Sequence, residues 1–152
     1  MSPRKPMHDE PCPVARSVDL IGDRWSLLIV RDAFDGVCRF GDFQRSLGVA
    51  RNILSDRLRK LVEADILRTR DASDGTAYQE YVLTPRGESL FAVVVALRQW
   101  GERHLFERGE RHSVLIDKAG GKPISIMSPR ARDGSALLPA ATVVRKVARK
   151  ET

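Results

Sequence analysis

One segment near the middle of the chain, residues 50–63, constrains the fold more than any other. Its apolar residues are spaced four and three positions apart, so they fall on one face of an α-helix and predict that this face is buried. They are Leu54, Leu58 and Leu61. The opposite face carries Asn52, Ser55 and Arg59, side chains of the kind that contact base edges and phosphates when a helix lies in the major groove. The segment therefore predicts a helix with one side inside the protein and the other open to DNA.

A shorter segment with helical apolar spacing lies just before it. This segment covers residues 40–47 and is followed by Gly48, which suits a tight turn. Two helices joined by a tight turn that contains glycine, with a polar and basic outer face on the second, are typical of a helix-turn-helix.

A β-hairpin is predicted after the second helix. Residues 66–70 and 78–83 are strand-like, and they flank the turn-rich residues 71–76. This is the place where a winged helix carries its wing. The combination predicts an α+β, mainly helical fold of the winged helix-turn-helix class.

Two further helices are predicted at the N-terminal side of this core. Pro13 suits the first turn of a helix that ends at residue 21, before Gly22. Asp23 then suits the cap of a strongly apolar helix over residues 24–34, which is expected at the centre of the core.

A long C-terminal helix is predicted after the hairpin. Thr84 and Pro85 form a good cap and first turn for a helix that runs to about Arg108. Its apolar stripe is wider than one small core can cover, which predicts a dimerisation helix and a homodimer. The stripe consists of Leu90, Phe91, Val94, Val95, Leu97, Trp100 and Leu105. The alternative is a monomer in which the C-terminal segment covers this helix.

Basic charge is concentrated where DNA contact is predicted. The 152-residue chain has a formal net charge of +6, and residues 39–70 hold eight Lys and Arg against four Asp and Glu. Residues 113–152 are also basic, whereas residues 1–112 as a whole are nearly neutral. A basic patch that coincides with the polar helix fits contact with phosphate.

Composition argues against several other classes of protein. No apolar run approaches the roughly 20 residues that cross a bilayer, and no secretory block follows the first residues, so a cytoplasmic protein without a membrane partner is expected. Two cysteines are too few for a disulfide framework or a zinc finger. The three histidines lack metal-ligand spacing, and neither a phosphate loop nor a nucleophile–base pair is present. No catalytic residue, metal or cofactor is therefore expected.

Three parts are expected along the chain. Residues 1–11 are rich in proline and charge and predict a flexible arm. Residues 12–110 form the DNA-binding and dimerisation domain. Residues 111–152 form a small β or irregular extension, in which residues 114–127 predict a hairpin and the end is a basic tail.

Five short motifs, taken in order, resemble a known family. They are Cys12-Pro13-Val14, residues 19–29, Arg39-Phe40, the leucine helix and residues 83–87. Together they resemble the HxlR-type winged helix-turn-helix transcriptional regulators, relatives of the MarR group. The resemblance covers roughly residues 10–108. It implies a dimeric bacterial or archaeal DNA-binding regulator, and in several members a response to electrophiles or oxidants through an N-terminal cysteine.

The chain departs from that family's pattern at a few positions. Ala50 stands where a serine usually caps the recognition helix, which weakens the cap by about 1 kcal/mol. Asp65 stands where a glycine commonly ends the helix in a left-handed conformation. Asp71 and Asp74 make the wing tip acidic, so Arg68 or Arg70 near its base is the better candidate for DNA contact.

The two cysteines have different expected roles. Cys12 falls at the N-cap of the first predicted helix, where free N–H groups, the helix dipole and Arg16 favour a thiolate, whereas Asp9 and Glu10 oppose it. Cys12 is therefore the candidate redox sensor, and the alternative is a half-buried residue that only begins a helix. Cys38 has apolar neighbours and is expected to be a packed residue.

The sequence predicts a sequence-specific DNA-binding regulator, with double-stranded operator DNA as its partner. Repression is favoured over activation, because a compact dimer on a promoter blocks polymerase without further contacts. The candidates for base or groove contact are Arg51, Asn52, Ser55 and Arg59. The candidates for phosphate contact are Arg39, Arg57 and Arg70, with a salt bridge that braces the wing as the alternative for Arg57.

Two other interpretations stay open at this stage. One is a regulator whose effector is a small aromatic ligand rather than an oxidant, bound where Trp25, Phe34, Phe91 and Trp100 gather, although these aromatics are also typical of an ordinary core. The other is a winged helix that contacts protein and does not read DNA.

Overall fold

The computed structural model describes residues 6–149 and residue 151, and these form two compact units. The first unit contains the chain up to Phe91 together with the residues from Val147 onward, and the second contains residues 92–146. The predicted N-terminal arm lies partly outside the described residues, since residues 1–5 are not among them, and so does Lys150 of the basic tail.

Four helices precede the hairpin. They are α1 (Pro13–Ile21), α2 (Ser26–Phe34), α3 (Phe40–Leu47) and α4 (Arg51–Glu63). The predicted bounds of α1 and α3 are confirmed, α4 begins one residue later than predicted, and α2 begins two residues later.

Short-range capping explains why these helices begin and end where they do. The Asp23 carboxylate accepts hydrogen bonds from the backbone N–H of Trp25 and of Ser26, both at 3.0 Å, and so caps α2 as predicted. Gly48 ends α3 with φ of 62°, a left-handed conformation that glycine adopts without steric cost. Asp65, just after α4, has φ of 59°, as its place in the sequence predicts. Ala50 begins α4 without a side-chain cap.

The core of the first unit forms beneath α4. The leucines of the predicted stripe, Leu54, Leu58 and Leu61, are all fully buried, as is Phe43 of α3. Helix α2 contributes Ile29 and Val30, which are also fully buried. α4 is thus fixed on its apolar side by α2 and α3.

The wing is a two-stranded antiparallel sheet. Strand β1 (Leu67–Asp71) pairs with β2 (Gln79–Leu83), and Arg70 lies opposite Glu80. A third segment continues the pairing on the other side of β2, where the Tyr81 N–H donates to the carbonyl of Cys38 at 2.7 Å. Arg39 and Glu80 form an antiparallel bridge there. The predicted hairpin is confirmed, and each strand begins one residue later than predicted.

The prediction of one long helix after the wing is wrong. The chain forms a single turn, α5 (Pro85–Glu88), and then α6 (Phe91–His104). At the break, the Leu90 N–H donates to the Gly87 carbonyl three residues back, and the Ser89 hydroxyl donates to the Arg86 carbonyl. Serine competes in this way with the regular helical hydrogen bonds. The predicted cap is confirmed, because the Thr84 hydroxyl accepts from the Gly87 N–H at 3.0 Å.

The second unit consists of α6 from residue 92 and the extension that follows it. Gln99 holds the extension by donating to the Ser125 carbonyl and accepting from the Met127 N–H, at 3.0 and 2.8 Å. The hairpin predicted within residues 114–127 is reduced to one bridge, between Ile116 and Pro123. A 3-10 turn at Pro139–Ala141 follows.

Candidate nucleic-acid interface

The outer face of α4 carries three exposed polar residues at its N-terminal end. Arg51, Asn52 and Ser55 are all exposed, and α4 is fixed from below by its buried leucines. The Arg51 guanidinium lies over the ring of Phe40, with 5.0 Å between its Cζ atom and the ring centroid. Within the described residues, the side chains of Asn52 and Ser55 have no hydrogen-bond partner. Their donors and acceptors are therefore open to an incoming ligand.

The C-terminal half of the same face is a network of ion pairs. Arg59 contacts Asp56 at 2.7 Å and Glu63 at 2.9 Å, and Lys60 contacts Asp56 at 3.2 Å. Hydrogen bonds from Lys60 and then Arg59 lower the pKa of Asp56. Exposed pairs of this type stabilise a helix only weakly, so a phosphate can compete for Arg59.

Arg57 turns away from the exposed face and holds the start of α2. Its Nε atom lies 2.9 Å from the Asp23 carboxylate, and its Nη1 atom contacts Asp56. Asp23 is the same carboxylate that caps α2. The brace therefore joins α4 to α2, and its partner is not in the wing, where the sequence analysis placed the alternative salt bridge.

Removing this brace is expected to reduce stability. Arg57→Ala should lower the free energy of unfolding by about 1–2 kcal/mol, because hydrogen bonds to charged groups are strong but this pair is partly solvent-screened. Chemical denaturation followed by circular dichroism measures the change. Arg59→Ala is the matched control, since it removes an exposed arginine of the same helix and should change stability by less than about 0.5 kcal/mol. Equal losses in the two variants would contradict the bracing role.

The pH dependence of the brace follows from the pKa of Asp23. Burial opposes ionisation of this carboxyl, yet hydrogen bonds from Ser26, Trp25 and Arg57 lower its pKa below the ordinary 3.8. Because the pKa is lower in the folded state, ionised Asp23 stabilises the protein at pH values above its pKa in the unfolded state. This stabilisation is lost as the pH falls through its pKa in the folded state. The difference in free energy of unfolding between the wild type and Arg57→Ala should therefore become smaller below about pH 4.

Two wing arginines converge on one buried carboxylate. Arg70 Nε lies 3.2 Å from Glu80 Oε1, and Arg39 Nε lies 3.6 Å from Glu80 Oε2. Arg39 also contacts Asp74 at the wing tip, and this pairing lowers the pKa of Asp74. Both arginines remain partly exposed. The structure thus brings Arg39 and Arg70 together at the wing, although they are 31 residues apart in sequence.

The two cysteines lie in different surroundings. Cys12 is exposed at the N-cap of α1, and its sulfur accepts from the Ala15 N–H at 3.5 Å. It lines an open cavity of about 740 Å³ together with Glu10 and Arg149, which form an ion pair at 3.1 Å. Cys38 is half-buried and donates to Glu80 at 3.2 Å. Burial and then Glu80 raise the pKa of the Cys38 thiol, which keeps it protonated.

The aromatic residues proposed for a ligand site make local contacts. The rings of Phe34 and Phe91 contact each other in a tilted arrangement, with 5.3 Å between ring centroids. Trp25 lies beneath the guanidinium of Arg24, and Trp100 contacts His104.

Sequence reasoning did not identify Asp23 or Glu80 as parts of this surface. For Glu80 a signal was present, because strand alternation places it on the same face as Val82 of β2, an unusual position for a carboxylate without a cationic partner. For Asp23 the sequence indicated only a cap for α2, since its partner Arg57 lies 34 residues further along the chain.

Within the described residues, no helix combines the length and apolar character that membrane crossing requires. The same residues contain no group of three or more His, Cys, Asp and Glu side chains placed to hold a metal ion.

Comparison with known proteins identifies the family. Residues 20–109 match the family described as HxlR-like helix-turn-helix, which is more than half of the chain. The uncharacterized HTH-type transcriptional regulator Rv3095 of Mycobacterium tuberculosis is 48% identical over 92 residues, which cover 60% of this chain. The match spans 58% of that relative, so the chain covers less than two thirds of its length.

Solved structures agree with this assignment. The crystal structure of PA1607, a candidate transcription factor, has 49% identity and a TM-score of 0.86, and the match covers 91% of this chain and 98% of that one. The redox regulator HypR in its reduced form has 28% identity and a TM-score of 0.57, over 62% of this chain and 94% of that one. The chain belongs to the HxlR-like helix-turn-helix family, and it has a winged helix-turn-helix fold.

Proposed function

We propose that this chain is a transcriptional regulator, a homodimeric repressor that reads its operator with α4. The observation that carries the proposal is the exposed polar face of Arg51, Asn52 and Ser55 above a fully buried leucine stripe. A rigid helix with free donors and acceptors on its first turns is what major-groove recognition requires.

The candidate residues divide into three roles. Arg51, Asn52 and Ser55 contact base edges, since they are exposed and lie on the first turns of α4. Arg59 joins them at the groove when DNA displaces its weak surface pairs. Phosphate contacts come from Arg70 of the wing and from Arg39, which lies on the segment paired with β2. Arg57 supports the interface indirectly by fixing α4 to α2.

Exposed apolar side chains support a homodimer. On α1, Val14 and Val18 are 69% and 51% exposed. On α6, Leu97 and Trp100 are 52% and 58% exposed, although the extension is hydrogen-bonded to Gln99 of that helix. Apolar surface of this extent is typical of protein contacts. A second copy is the simplest partner, because two-fold symmetry presents two copies of α4 to a two-fold operator.

Selection from random duplex DNA tests the proposal and identifies the operator in the same experiment. The wild-type protein should enrich one two-fold motif with half-sites about one helical turn apart. Light scattering should give twice the chain mass of 17.0 kDa, and transcription from a promoter that carries the motif should fall. Recovery of unrelated sequences would contradict sequence reading, and a monomeric mass would contradict the homodimer.

We further propose that Cys12 makes the regulator responsive to oxidants or electrophiles. The support is its exposure at the α1 N-cap and the similarity to HypR, a redox regulator known in reduced and oxidized forms. Modification of Cys12, or a disulfide to another subunit, would move α1 and change the spacing of the two α4 helices.

The prediction for Cys12 is a loss of operator affinity when the thiol is oxidised or reacts with an electrophile. Diamide or a quinone should weaken binding of the wild-type protein to the selected motif, and Cys12→Ser should keep its affinity under the same treatment. Cys38→Ser is the matched control and should respond as the wild type does, because its thiol is half-buried and protonated. An equal response in Cys12→Ser and wild type would exclude Cys12 as the sensor.

A further inference from the structure

Glu80 of the wing is a buried carboxylate at the meeting point of three strand segments. Its relative exposure is 4%. Arg70 lies opposite it on β1, and Arg39 lies opposite it on the segment that pairs with the other side of β2. The three residues therefore form one row across the strands, with the carboxylate in the middle and a guanidinium on each side.

The contacts on Glu80 leave the outer nitrogens of Arg70 available. Arg70 uses Nε to reach Glu80 Oε1 at 3.2 Å, and within the described residues its Nη atoms have no partner. Arg39 uses Nε toward Oε2 at 3.6 Å, and one Nη atom contacts Asp74. The Cys38 thiol donates to the same Oε2 at 3.2 Å. A guanidinium held through Nε has a fixed plane. This leaves the Nη pair of Arg70 for a bidentate contact with a phosphate, and one Nη atom of Arg39 for a single contact.

The charge state of Glu80 fits this arrangement. Hydrogen bonds from Cys38 and then Arg70 lower the pKa of Glu80, although burial opposes the shift. A buried carboxylate is costly unless it is paired, and Glu80 meets this condition through Arg39 and Arg70. Simple closure of the hairpin does not require a charge at this position.

We propose that Glu80 is a positioning residue that orients Arg39 and Arg70 for contact with the DNA phosphates. The proposal rests on the proposed function, because it assumes that the wing touches the duplex. The proposed role is that the Glu80 carboxylate holds both guanidinium groups in place, which goes beyond the exposure of the two arginines.

The test compares the salt dependence of duplex binding in the wild type and in Glu80→Gln. The amide keeps the shape of the side chain but removes the charge and replaces one acceptor by a donor. The slope of log affinity against log salt should become shallower by about 0.9 for each phosphate that an arginine no longer neutralises. In an Arg39→Ala/Arg70→Ala background, Glu80→Gln should not change the slope further. Glu88→Gln makes the same change at an exposed carboxylate and should leave the slope at its wild-type value.

Other results of the Glu80→Gln measurement would overturn the proposal. If Glu80 only neutralises the wing, Glu80→Gln will strengthen binding and steepen the slope, which would overturn the proposal. An unchanged slope, or a change that persists in the double-alanine background, would overturn it as well. A wild-type protein without salt-dependent duplex affinity would instead overturn the proposed function itself.

A second measurement covers the case in which Glu80→Gln does not fold. In the wild-type protein without DNA, the Nε–H signals of Arg39 and Arg70 should be sharp and slow to exchange in NMR spectra. The Nε–H signal of Arg68, an exposed arginine of β1, serves as the control and should exchange rapidly. Equally rapid exchange of all three signals would show that Glu80 does not fix the two guanidinium groups.

Discussion

Asn52→Ala is expected to weaken binding to the selected operator by about 1–3 kcal/mol per half-site, because the variant can no longer form a bidentate hydrogen bond with a base edge. The change removes no charge, so the salt dependence of binding should stay as in the wild type. Affinity for unrelated duplexes should also be unchanged. Asn52 is exposed and outside the core, so the thermal stability of the variant should equal that of the wild type.

Arg51→Lys provides the matched comparison on the same turn of α4. It keeps the positive charge but loses the planar fork, so it should reduce preference for the operator while the salt slope stays constant. Competition binding with operator and scrambled duplexes measures both variants. If either variant binds the operator as the wild type does, or weakens all duplexes equally, its residue does not read bases.

Gly87→Ala is expected to destabilise the whole domain. A Cβ atom at this position would lie 2.1 Å from the Ile66 carbonyl oxygen, which is backbone and does not move without shifting the start of the wing. The same glycine N–H donates to Thr84, whose hydroxyl donates to the carbonyl of Asp65. Overpacking of this type costs about 1–3 kcal/mol, and the weakened cap adds to it.

A second helical glycine provides the control for this prediction. In α3, a Cβ at Gly41 would meet only the end of the Arg45 side chain, at 3.6 Å. Gly41→Ala should therefore keep or slightly raise stability, because alanine favours helix over glycine by roughly 0.5–1 kcal/mol. Urea denaturation measures the free energy of unfolding of both variants. Equal stability of Gly87→Ala and wild type would show that α5 does not pack closely on the chain at Ile66.

The parts of the fold that were predictable depend on local signals. Gly48 and Asp65 mark turns by their own backbone preferences, and the leucine stripe marks the buried face of α4 by its spacing alone. The break between α5 and α6 was not predictable in this way. It depends on the Ser89 hydroxyl and on the close approach of Gly87 to Ile66, and only the folded chain brings the latter two residues together.

In the candidate site, too, only the features that depend on local signals were predictable. Exposure of Arg51, Asn52 and Ser55 follows from helical periodicity, so those residues could be chosen from the sequence. The partners of the arginines could not, because the pairs join distant segments. Arg57 and Asp23 are 34 residues apart, and Arg39 meets Asp74 at a separation of 35. Sequence alone therefore located the basic surface but not the acids that hold it.

The proposed function requires that α4 is rigid and that its polar face stays open until DNA covers it. Ser55→Cys places a thiol on that face, and peptide mass spectrometry can follow its alkylation separately from that of Cys12 and Cys38. We predict rapid labelling in the free protein and strong protection by the selected duplex, but not by a scrambled duplex at high salt. Slow labelling in the free protein, or equal labelling with and without the operator, would show that this face of α4 is not an open DNA-binding surface.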